Sequence, residues 1–510
     1  EQLVLFYVKL RYFREHALGS ISVLPALSNV LQQPCRRPGS FVRKTMNIDQ
    51  IIALQRAHAS AQARTSLSYR LQKLDELRRA LQGPWQEKLA NALHEDFGKS
   101  PVEVGLTEIF PTLDNLKIIR KNLKRWSAPQ KVKTPLPLFG STSYTQPEPK
   151  GSTLVIAPWN YPIFLSLHPL CTSFAAGNTV ILKPSEHTPK TSAVLAALVS
   201  EFFEPEEVTV ITGGVEVSTA LLKERFDHIF FTGSTAVGKI VMAAASKHLC
   251  SITLELGGKS PTIVDETANA FEAGQRVAWA KFTNAGQICI APDHIYVHAR
   301  KLEDFKRGVA KVIAQQYGED PTESKDYVSV VNEGHFKRLS NMLHDATTES
   351  GAPFIGGTTN AINRKISPAV FINPSKDGAL MKEEIFGPLL PVFSYTELQE
   401  PLQEINSREH PLVVYIYSKS KRNIKAIQQG TRAGATAVNM SLLQIANNYL
   451  PFGGTGHSGI GKTNGHAGFL EFTNTRSAFY QWGFPANKLL APPYTSGKAK
   501  LVQRLIKNLF

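Results

Sequence analysis

The chain has 510 residues, of which 42% are hydrophobic and 19% charged, and its formal net charge is +15 at pH 7. This length is sufficient for two or more domains with sizeable cores, and the composition is that of an ordinary folded protein rather than a disordered one. The longest apolar runs, such as residues 3–8, fall well short of the roughly 18 residues that a transmembrane helix needs. We therefore expect no transmembrane segment.

The positive charge is concentrated at the two ends of the chain. Residues 1–45 carry seven lysines and arginines against two glutamates, and residues 485–510 add five more with no acidic residue. No zinc-finger spacing occurs, so nucleic-acid binding is not favoured. The four cysteines are widely spaced without a C-x-x-C pair, which predicts free thiols in a reducing compartment.

The first part of the chain falls into three segments. Residues 1–45 are basic and punctuated by Pro and Gly, and the first methionine is Met46. We favour an upstream extension of the reading frame for this segment, and we expect the protein to be cytoplasmic. An organellar transit peptide is the alternative. From 47 to about 128, apolar positions three and four apart predict helices. Residues 128–151 are rich in proline and predict an edge hairpin or arm.

Short buried strands alternate with helices in the rest of the chain. The first predicted strands and helix have the sequences "STLVIAPW", "NTVILKPS", "TSAVLAALVSEFF" (the helix), "EVTVITG", "HIFFTG" and "SITLELGG". Such alternation predicts a parallel, doubly wound sheet, and a second alternation after residue 258 predicts a second α/β domain. The tail 501–510 places apolar residues on one helix face. This face packs on a partner subunit or lies on a membrane surface; we favour packing.

A glycine-rich loop follows the predicted strand "HIFFTG". Gly233-x4-Gly238-Lys239 would be a nucleotide-triphosphate loop, but Ile240 stands where that loop needs the magnesium-binding Ser or Thr. The glycines allow close approach of the backbone, and the following helix offers free N–H groups to phosphate. A phosphate site without a metal-binding hydroxyl fits the pyrophosphate of a dinucleotide. A plain strand–helix turn is the alternative.

Four further residues carry chemistry. Lys183 and Glu186 follow a predicted sheet strand, where a carboxylate can bind ribose hydroxyls; a solvated loop is the alternative. Glu255 ends an apolar strand before two glycines, so burial is expected to raise its pKa toward the range of a general base. Cys289 lies in a turn bounded by Gly and Pro. A free cysteine by itself is more often an inert core residue.

Seven ordered stretches resemble the aldehyde dehydrogenase superfamily. They are "APWNYP" (157–162), "LKPSEHTP" (182–189), "FTGSTAVGK" (231–239), "LELGGKSP" (254–261), "GQICIAP" (286–292), "EEIFGP" (383–388) and "PFGGTGHSGIG" (451–461). The interval from Glu255 to Cys289 is similar to that between base and nucleophile in the family. In finer sequence detail, the chain resembles class 3, which includes fatty and aromatic aldehyde dehydrogenases and bacterial coniferyl aldehyde dehydrogenases. The resemblance runs from about Met46 to about residue 480.

The resemblance implies an α/β fold of the aldehyde dehydrogenase type, active as a homodimer. The implied parts are a Rossmann-like NAD(P)-binding domain (46–127 and 151–257), an α/β catalytic domain (258–462), a small β oligomerisation arm (128–150 and 463–484) and a basic amphipathic tail (485–510). Residues 1–45 lie outside the match as an N-terminal extension.

The resemblance also implies the catalytic roles. Cys289 would be the nucleophile that forms a thiohemiacetal and then a thioester. The side-chain amide of Asn160 and the backbone N–H of Cys289 would hold the oxyanion. Glu255 would activate water for deacylation. Tyr161 and Trp279 could line an apolar substrate tunnel, although core packing explains single aromatic residues equally well.

The implied cofactor is NAD. The implied binding residues are Lys183 and Glu186 at the adenosine ribose, Gly233, Ser234 and Gly238 at the pyrophosphate, and Glu384 and Phe386 at the nicotinamide ribose and ring. A carboxylate at 186 would repel a 2′-phosphate and Lys183 would soften that repulsion, so we expect NAD to be preferred and NADP tolerated. The fourteen histidines show no metal-binding spacing, and no metal is expected.

The predicted function is the NAD(P)-dependent oxidation of medium-chain aliphatic or aromatic aldehydes to carboxylic acids. A cysteine hydrolase is one rival, but it needs a histidine base near Cys289 and leaves the phosphate loop unexplained. A P-loop ATPase is another, and Ile240 argues against it. A binding protein that has lost turnover is the third, and the joint presence of Asn160, Glu255 and Cys289 argues against it.

Overall fold

A computed structural model describes residues 47–135, 138, 140–483, 487 and 491–509. The expectations for residues 1–45 lie outside the described residues. The segment predicted to be helical forms α1 (Ile48–Ala63), α2 (Leu67–Leu81), α3 (Pro84–Phe97), α4 (Pro101–Val104) and α5 (Phe110–Trp126), with a π-helical turn at Gly105–Ile109 between the last two. Local chemistry fixes the start of α1, because Asn47 and Gln50 cap each other's backbone N–H in a capping box.

Strands and helices then alternate up to residue 256. They are β1 (Gln130–Val132), β2 (Ser141–Pro149), β3 (Ser152–Ile156), α6 (Phe164–Ala176), β4 (Thr179–Lys183), α7 (Pro189–Phe202), β5 (Val208–Val210), α8 (Val215–Lys223), β6 (His228–Gly233), α9 (Thr235–Ser246) and β7 (Ser251–Leu256).

The second half continues the alternation. Its elements are β8 (Pro261–Val264), α10 (Ala270–Phe282), β9 (His294–His298), α11 (Leu302–Tyr317), α12 (Glu333–Ser350), β10 (Thr359–Asn360), β11 (Lys365–Ile366), β12 (Ala369–Ile372), α13 (Ala379–Lys382), β13 (Leu389–Tyr395), α14 (Gln399–Asn406), β14 (Val413–Tyr417), α15 (Lys421–Gly430), β15 (Ala435–Val438), β16 (Gly459–Ile460), α16 (Gly465–Glu471), β17 (Thr473–Gln481) and α17 (Ser496–Leu509).

The first large sheet has the order β16-β7-β6-β3-β4-β5. Its strands β3 to β7 are parallel, and β3 and β4 are buried along their whole length, as in a sheet covered by helices on both faces. This is the predicted Rossmann-like sheet. The two-residue β16 pairs antiparallel with the end of β7, where Gly459 lies opposite Glu255. A segment far along the chain thus closes the sheet edge beside the predicted base.

The second large sheet has the order β12-β13-β9-β8-β14-β15, and all its neighbouring strands are parallel. Helices α10 and α11 pack on it through a core that includes Phe282, Val297 and Val309. This is the predicted second α/β domain. Its strands read as continuous apolar runs because both faces are covered.

A third, antiparallel sheet has the order β1-β2-β17. Strands β2 and β17 pair over nine residues, from Pro149 opposite Thr473 to Ser141 opposite Gln481. The strands come from the two segments predicted to form an arm. Their role in oligomerisation, like the domain boundaries, stays a prediction.

The C-terminal helix α17 presents its apolar side chains to solvent in the single chain. Leu501, Val502, Leu505 and Ile506 are all exposed. What covers them stays a prediction. Among the described residues, no helix combines the length and the apolar character needed to cross a bilayer.

Candidate active site

One cavity of about 210 Å³ brings the three predicted catalytic residues together. Asn160 lies in the loop after β3, Glu255 near the end of β7 and Cys289 in the turn after α10, and all three line this cavity. Tyr161 and Trp279 line it as well, as predicted for the substrate tunnel. The structure thus assembles one site from residues separated by up to 129 positions in the chain.

A strained turn carries Cys289 into the cavity. After α10 ends, Asn284 and Ala285 adopt left-handed backbone conformations with φ of 51° and 50°, which cost about 1–3 kcal/mol each. Gln287, which is buried, holds this turn in place. Its Nε2 donates to the carbonyls of Asn284 (3.0 Å) and Ser329 (3.2 Å), and its Oε1 accepts the N–H of Val331 (3.1 Å).

The side chain of Cys289, the predicted nucleophile, is held as a neutral thiol. Burial raises the pKa of Cys289 to about 12, and the nearby carboxyl groups of Glu384 and Glu255 add to the rise. The backbone N–H groups of Cys289 and Ile290 act in the opposite direction. These N–H groups favour negative charge at this point, so the turn can stabilise a thiolate once the proton has left.

Asn160 is held with its amide at the cavity wall. Its side chain is buried, and its Nδ2 donates to the carbonyl of Gln287 (3.0 Å). An amide nitrogen carries two hydrogens, so the second remains to bind an oxygen atom of a ligand. The Asn160 carbonyl accepts from Nδ2 of Asn284 (3.3 Å). The loop that carries Asn160 (the amide loop, 157–163) is therefore hydrogen-bonded to the turn that carries Cys289 (the cysteine turn, 283–293).

Glu255 is buried without a hydrogen-bond partner for either carboxylate oxygen. Burial raises its pKa well above the ordinary range; the charge of Lys462 opposes this rise and that of Glu471 adds to it. The direction is the one that its place at the end of an apolar strand predicts. Burial therefore favours the protonated form of Glu255, and the ionised carboxylate in this place is a stronger base than a solvated one.

Lys183 and Glu186 form an ion pair at the end of β4. The Lys183 Nζ and the Glu186 Oε2 are 2.7 Å apart, with the lysine buried and the glutamate partly exposed. Burial acts to raise the pKa of Glu186, but the hydrogen bond and charge of Lys183 outweigh it, and the net shift is downward. The carboxylate is therefore ionised and can accept hydrogen bonds from hydroxyl groups.

Helix α9 starts directly after β6, in the glycine-rich loop. The Ser234 side chain caps the helix by accepting the N–H of Val237. Gly238 is buried against β7, where a Cβ atom would come within 2.7 Å of Leu256 Cδ2. Gly238 therefore allows close packing of helix and sheet. Gly233 and Ser234 lie at the start of the helix, where free N–H groups bind anions.

Glu384 and Phe386 lie between α13 and β13, and their side chains lie next to Gly257 and Trp159, close to Glu255 and Asn160 in the sequence. A Cβ atom on Gly257 would collide with the Glu384 carboxylate, so this side chain lies against the glycines that follow Glu255. Burial, followed by the charge of Asp293, raises the pKa of Glu384 to about 8. The Phe386 ring packs edge-on against Trp159 at 5.5 Å between centroids.

Sequence reasoning missed four buried residues around this site. They are Lys99, Glu108, Lys281 and Gln287. Lys281 and Gln287 both precede Cys289 in the stretch "KFTNAGQIC". Their nearness to the predicted nucleophile was the available signal. Lys99 and Glu108 precede the site by more than 50 residues and gave no local signal.

The histidine that a cysteine hydrolase needs is not available. His168 is the one histidine among the described residues that line the cavity. Both of its ring nitrogens are buried without partners, and burial lowers its pKa to about 4. Such a ring is packed rather than poised for proton transfer, so this rival loses its base.

A Rossmann-like sheet lies beside a cavity that holds a cysteine, a carboxyl group and an amide, which is the arrangement expected of a cofactor-dependent dehydrogenase. Comparison with known proteins agrees. The model of the aldehyde dehydrogenase family matches residues 42–478, and the chain belongs to this family of NAD(P)-dependent oxidoreductases.

The relatives are of class 3. The chain is 40% identical over 461 residues to 4,4'-diaponeurosporen-aldehyde dehydrogenase of Staphylococcus aureus (90% of this chain, 99% of the relative). It is 38% identical to a probable coniferyl aldehyde dehydrogenase of Pseudomonas aeruginosa (91% and 96%) and to aldehyde dehydrogenase family 3 member A2 of Rattus norvegicus (88% and 92%). A solved Staphylococcus aureus AldH in a substrate-bound state superposes with a TM-score of 0.86 at 40% identity, covering 90% of this chain and all of that one. The predicted family, class and fold are confirmed.

Proposed function

We propose that this enzyme oxidises medium-chain aliphatic or aromatic aldehydes to carboxylic acids with NAD, through intermediates bound to Cys289. The observation that carries the proposal is the convergence of Cys289, Asn160 and Glu255 on one largely apolar cavity. The family relationship supplies the reaction class, and the geometry supports the proposed roles of these three residues.

The side chains perform two linked steps. The Cys289 thiol loses its proton to solvent, the thiolate adds to the aldehyde carbon, and the resulting oxyanion is held by the Asn160 amide and the Cys289 N–H. When bound, NAD supplies the acceptor for the hydride that leaves this carbon. The remaining thioester is attacked by water whose proton passes to the ionised form of Glu255. The Cys289–carbon bond then breaks, and the carboxylic acid leaves.

The cavity favours an apolar substrate. Its lining includes Phe164, Trp279, Leu442 and Phe452, with Asp114 and Glu255 as its acidic residues among those described. Apolar lining stabilises hydrocarbon or aromatic groups as they leave water. The Pseudomonas aeruginosa relative is named for coniferyl aldehyde, which is aromatic. This supports the aromatic part of the proposed range.

The cofactor face fits NAD. The ionised Glu186 can accept hydrogen bonds from two free ribose hydroxyls but would repel a 2′-phosphate, and its pairing with Lys183 reduces that repulsion. Val215 and Val237 are exposed apolar residues in the first turns of α8 and α9, where an adenine ring could cover them. Glu384 would meet the nicotinamide ribose. We infer a preference for NAD with NADP tolerated.

The remaining proposals concern the cellular compartment, the oligomeric state and the docking of α17. The free cysteines at 171, 250 and 289 support a reducing compartment such as the cytoplasm. The arm sheet supports a homodimer, and α17 supports docking on a partner subunit with a membrane surface as the alternative.

The test follows NADH absorbance with hexanal or benzaldehyde. Cys289→Ala is expected to lose at least about 1,000-fold in rate, as removal of a covalent nucleophile does. Glu255→Gln should give one burst of NADH and then stall, because acylation precedes its step. Cys250→Ala, a cysteine that does not line the cavity, is the control and should retain the wild-type rate. Full turnover by Cys289→Ala would overturn the proposal, and a lower kcat/KM with NAD than with NADP would overturn the cofactor preference.

A further inference from the structure

A fully buried ion pair lies behind the amide loop. Lys99, which follows α3, donates from Nζ to Oε1 of Glu108 at 2.8 Å, and both side chains are completely inaccessible to solvent. Glu108 sits in the π-helical turn before α5. Neither residue is among those that line the cavity, so the pair does not touch substrate. Its partners therefore decide what it does.

Lys99 holds the residue that carries the amide. Its Nζ donates to the backbone carbonyl of Asn160 at 3.2 Å and lies 3.8 Å from the ring centroid of Tyr161. The same carbonyl accepts from Asn284 of the cysteine turn. One ammonium group is thus shared between an ion pair, an aromatic face and the backbone of Asn160.

Glu108 holds the next residues of the same loop. Its Oε2 accepts the N–H groups of Ile163 (2.8 Å) and Phe164 (3.2 Å) at the start of α6. This helix has no side-chain cap within its own segment, so Glu108 satisfies N–H groups that are otherwise left open. The pair therefore fixes both ends of the loop from 160 to 164.

Removal of both charges of the Lys99–Glu108 pair would not by itself destabilise the fold. A buried ion pair replaced as a unit by neutral groups of similar shape is often tolerated, whereas loss of one partner strands a buried charge. Stability alone does not explain why a lysine reaches the Asn160 carbonyl. Catalytic geometry does, because a shift of about 1 Å in an oxyanion donor can cost about 100-fold in rate.

We infer that Lys99 and Glu108 are positioning residues that orient the Asn160 amide toward the oxyanion. This inference rests on the proposed role of Asn160. It predicts that the pair acts on acylation through Asn160 and on nothing else in the reaction.

The experiment is a double-mutant cycle on the rate of the first NADH turnover with saturating hexanal. Lys99→Met is made alone and together with Glu108→Gln, and each is made with and without Asn160→Ala. Lys99→Met/Glu108→Gln removes both charges and is the variant expected to fold. Rates are normalised to the fraction of protein that binds NAD, measured by fluorescence titration, so partial unfolding does not count as slow chemistry.

We expect Lys99→Met/Glu108→Gln to slow acylation by about 10- to 100-fold, up to the range for losing an oxyanion donor. In the Asn160→Ala background the same change should cost less than about threefold, because the group being oriented is gone. Lys73→Met is the matched control: it breaks another ion pair of this domain, with Glu207 at 3.4 Å, and should leave acylation unchanged.

Each outcome has one meaning. An equal loss with and without the Asn160 amide would overturn the positioning role, and so would a wild-type rate in Lys99→Met/Glu108→Gln. Unchanged acylation in Asn160→Ala alone would instead overturn the proposed function of that residue. The two failures are therefore distinguishable.

Discussion

The proposed base of this site, Glu255, is a carboxyl group buried without a hydrogen-bond partner. Neither oxygen of Glu255 is satisfied, and burial raises its pKa well above the ordinary range. Partners would stabilise the carboxylate but would also weaken it as a base. The arrangement therefore exchanges stability for basicity, as functional sites commonly do.

This exchange predicts how stability depends on pH. The pKa of Glu255 is higher in the folded chain than in the unfolded one, so above about pH 4.3 the unfolded chain releases this proton more readily. Wild-type stability then falls with rising pH, up to the folded pKa, by at most about 1.4 kcal/mol per pH unit. Glu255→Gln lacks this loss.

We therefore expect a gap in unfolding free energy in favour of Glu255→Gln over wild type, and we expect this gap to widen as the pH rises above about 4.3. Urea denaturation at each pH measures the gap. The control is Glu319→Gln, an exposed glutamate that does not line the cavity, measured over the same pH range. A gap for Glu255→Gln that is constant with pH would show that this carboxyl titrates as in the unfolded chain.

Local pattern revealed some residues of the site and not others. Glu255 and Cys289 lie in short motifs whose chemical role can be predicted from the sequence. Lys99 bonds a carbonyl 61 positions away, and Gln287 bonds the backbone of Ser329 and Val331, more than 40 positions away. Their roles depend on which segments meet in space, which a single sequence does not encode locally.

At the scale of elements, the proposed cofactor site depends on how closely α9 packs against β7. Gly238 makes that approach possible, since a Cβ atom there would meet Leu256 at 2.7 Å. Leu256 also lines the active-site cavity beside Glu255. Helix α9 and the catalytic cavity are therefore coupled through one leucine side chain.

Gly238→Ala is expected to displace the start of α9 and to raise the KM for NAD by roughly tenfold, because overpacking costs about 1–3 kcal/mol. Initial-rate kinetics with varied NAD measure this. Ala243→Ser, on the exposed face of the same helix, should leave the KM unchanged. A wild-type KM in Gly238→Ala would show that the helix tolerates the methyl group without moving.

The regular elements were largely predictable and the irregular ones were not. Parallel strands such as β3 and β4 are recognisable as short apolar runs between turn residues. Helix α6 is buried at nearly every position and contains Pro169, so it has neither the polar face nor the composition that indicates a helix. The π-helical turn at Gly105–Ile109 and the left-handed Asn284 are fixed by tertiary contacts, which override local preference.

At the scale of the whole molecule, two sheets end in open strands. In the described part of the chain, β17 pairs with β2 on one side only, and β15 pairs with β14 on one side only. Phe479 and Tyr480 of β17 and Val438 of β15 are exposed apolar residues. Exposed edges of this kind are templates for pairing with another chain. Pairing of β17 with β15 across two subunits would occupy both edges at once and close a symmetric dimer.

The hydrogen-bond directions in β15 allow a selective test of that dimer. The N–H groups of Ala435 and Asn439 donate to β14 and to the residue before it, so by alternation the N–H of Thr436 points outward. Thr436→Pro therefore removes one outward donor and spares the β14 ladder, which is where an edge strand tolerates proline. We expect light scattering to show a dimer for wild type and Thr436→Val and a monomer for Thr436→Pro. A dimer in all three proteins would mean that the subunits meet elsewhere, because a strand edge that lacks a central donor cannot complete the ladder.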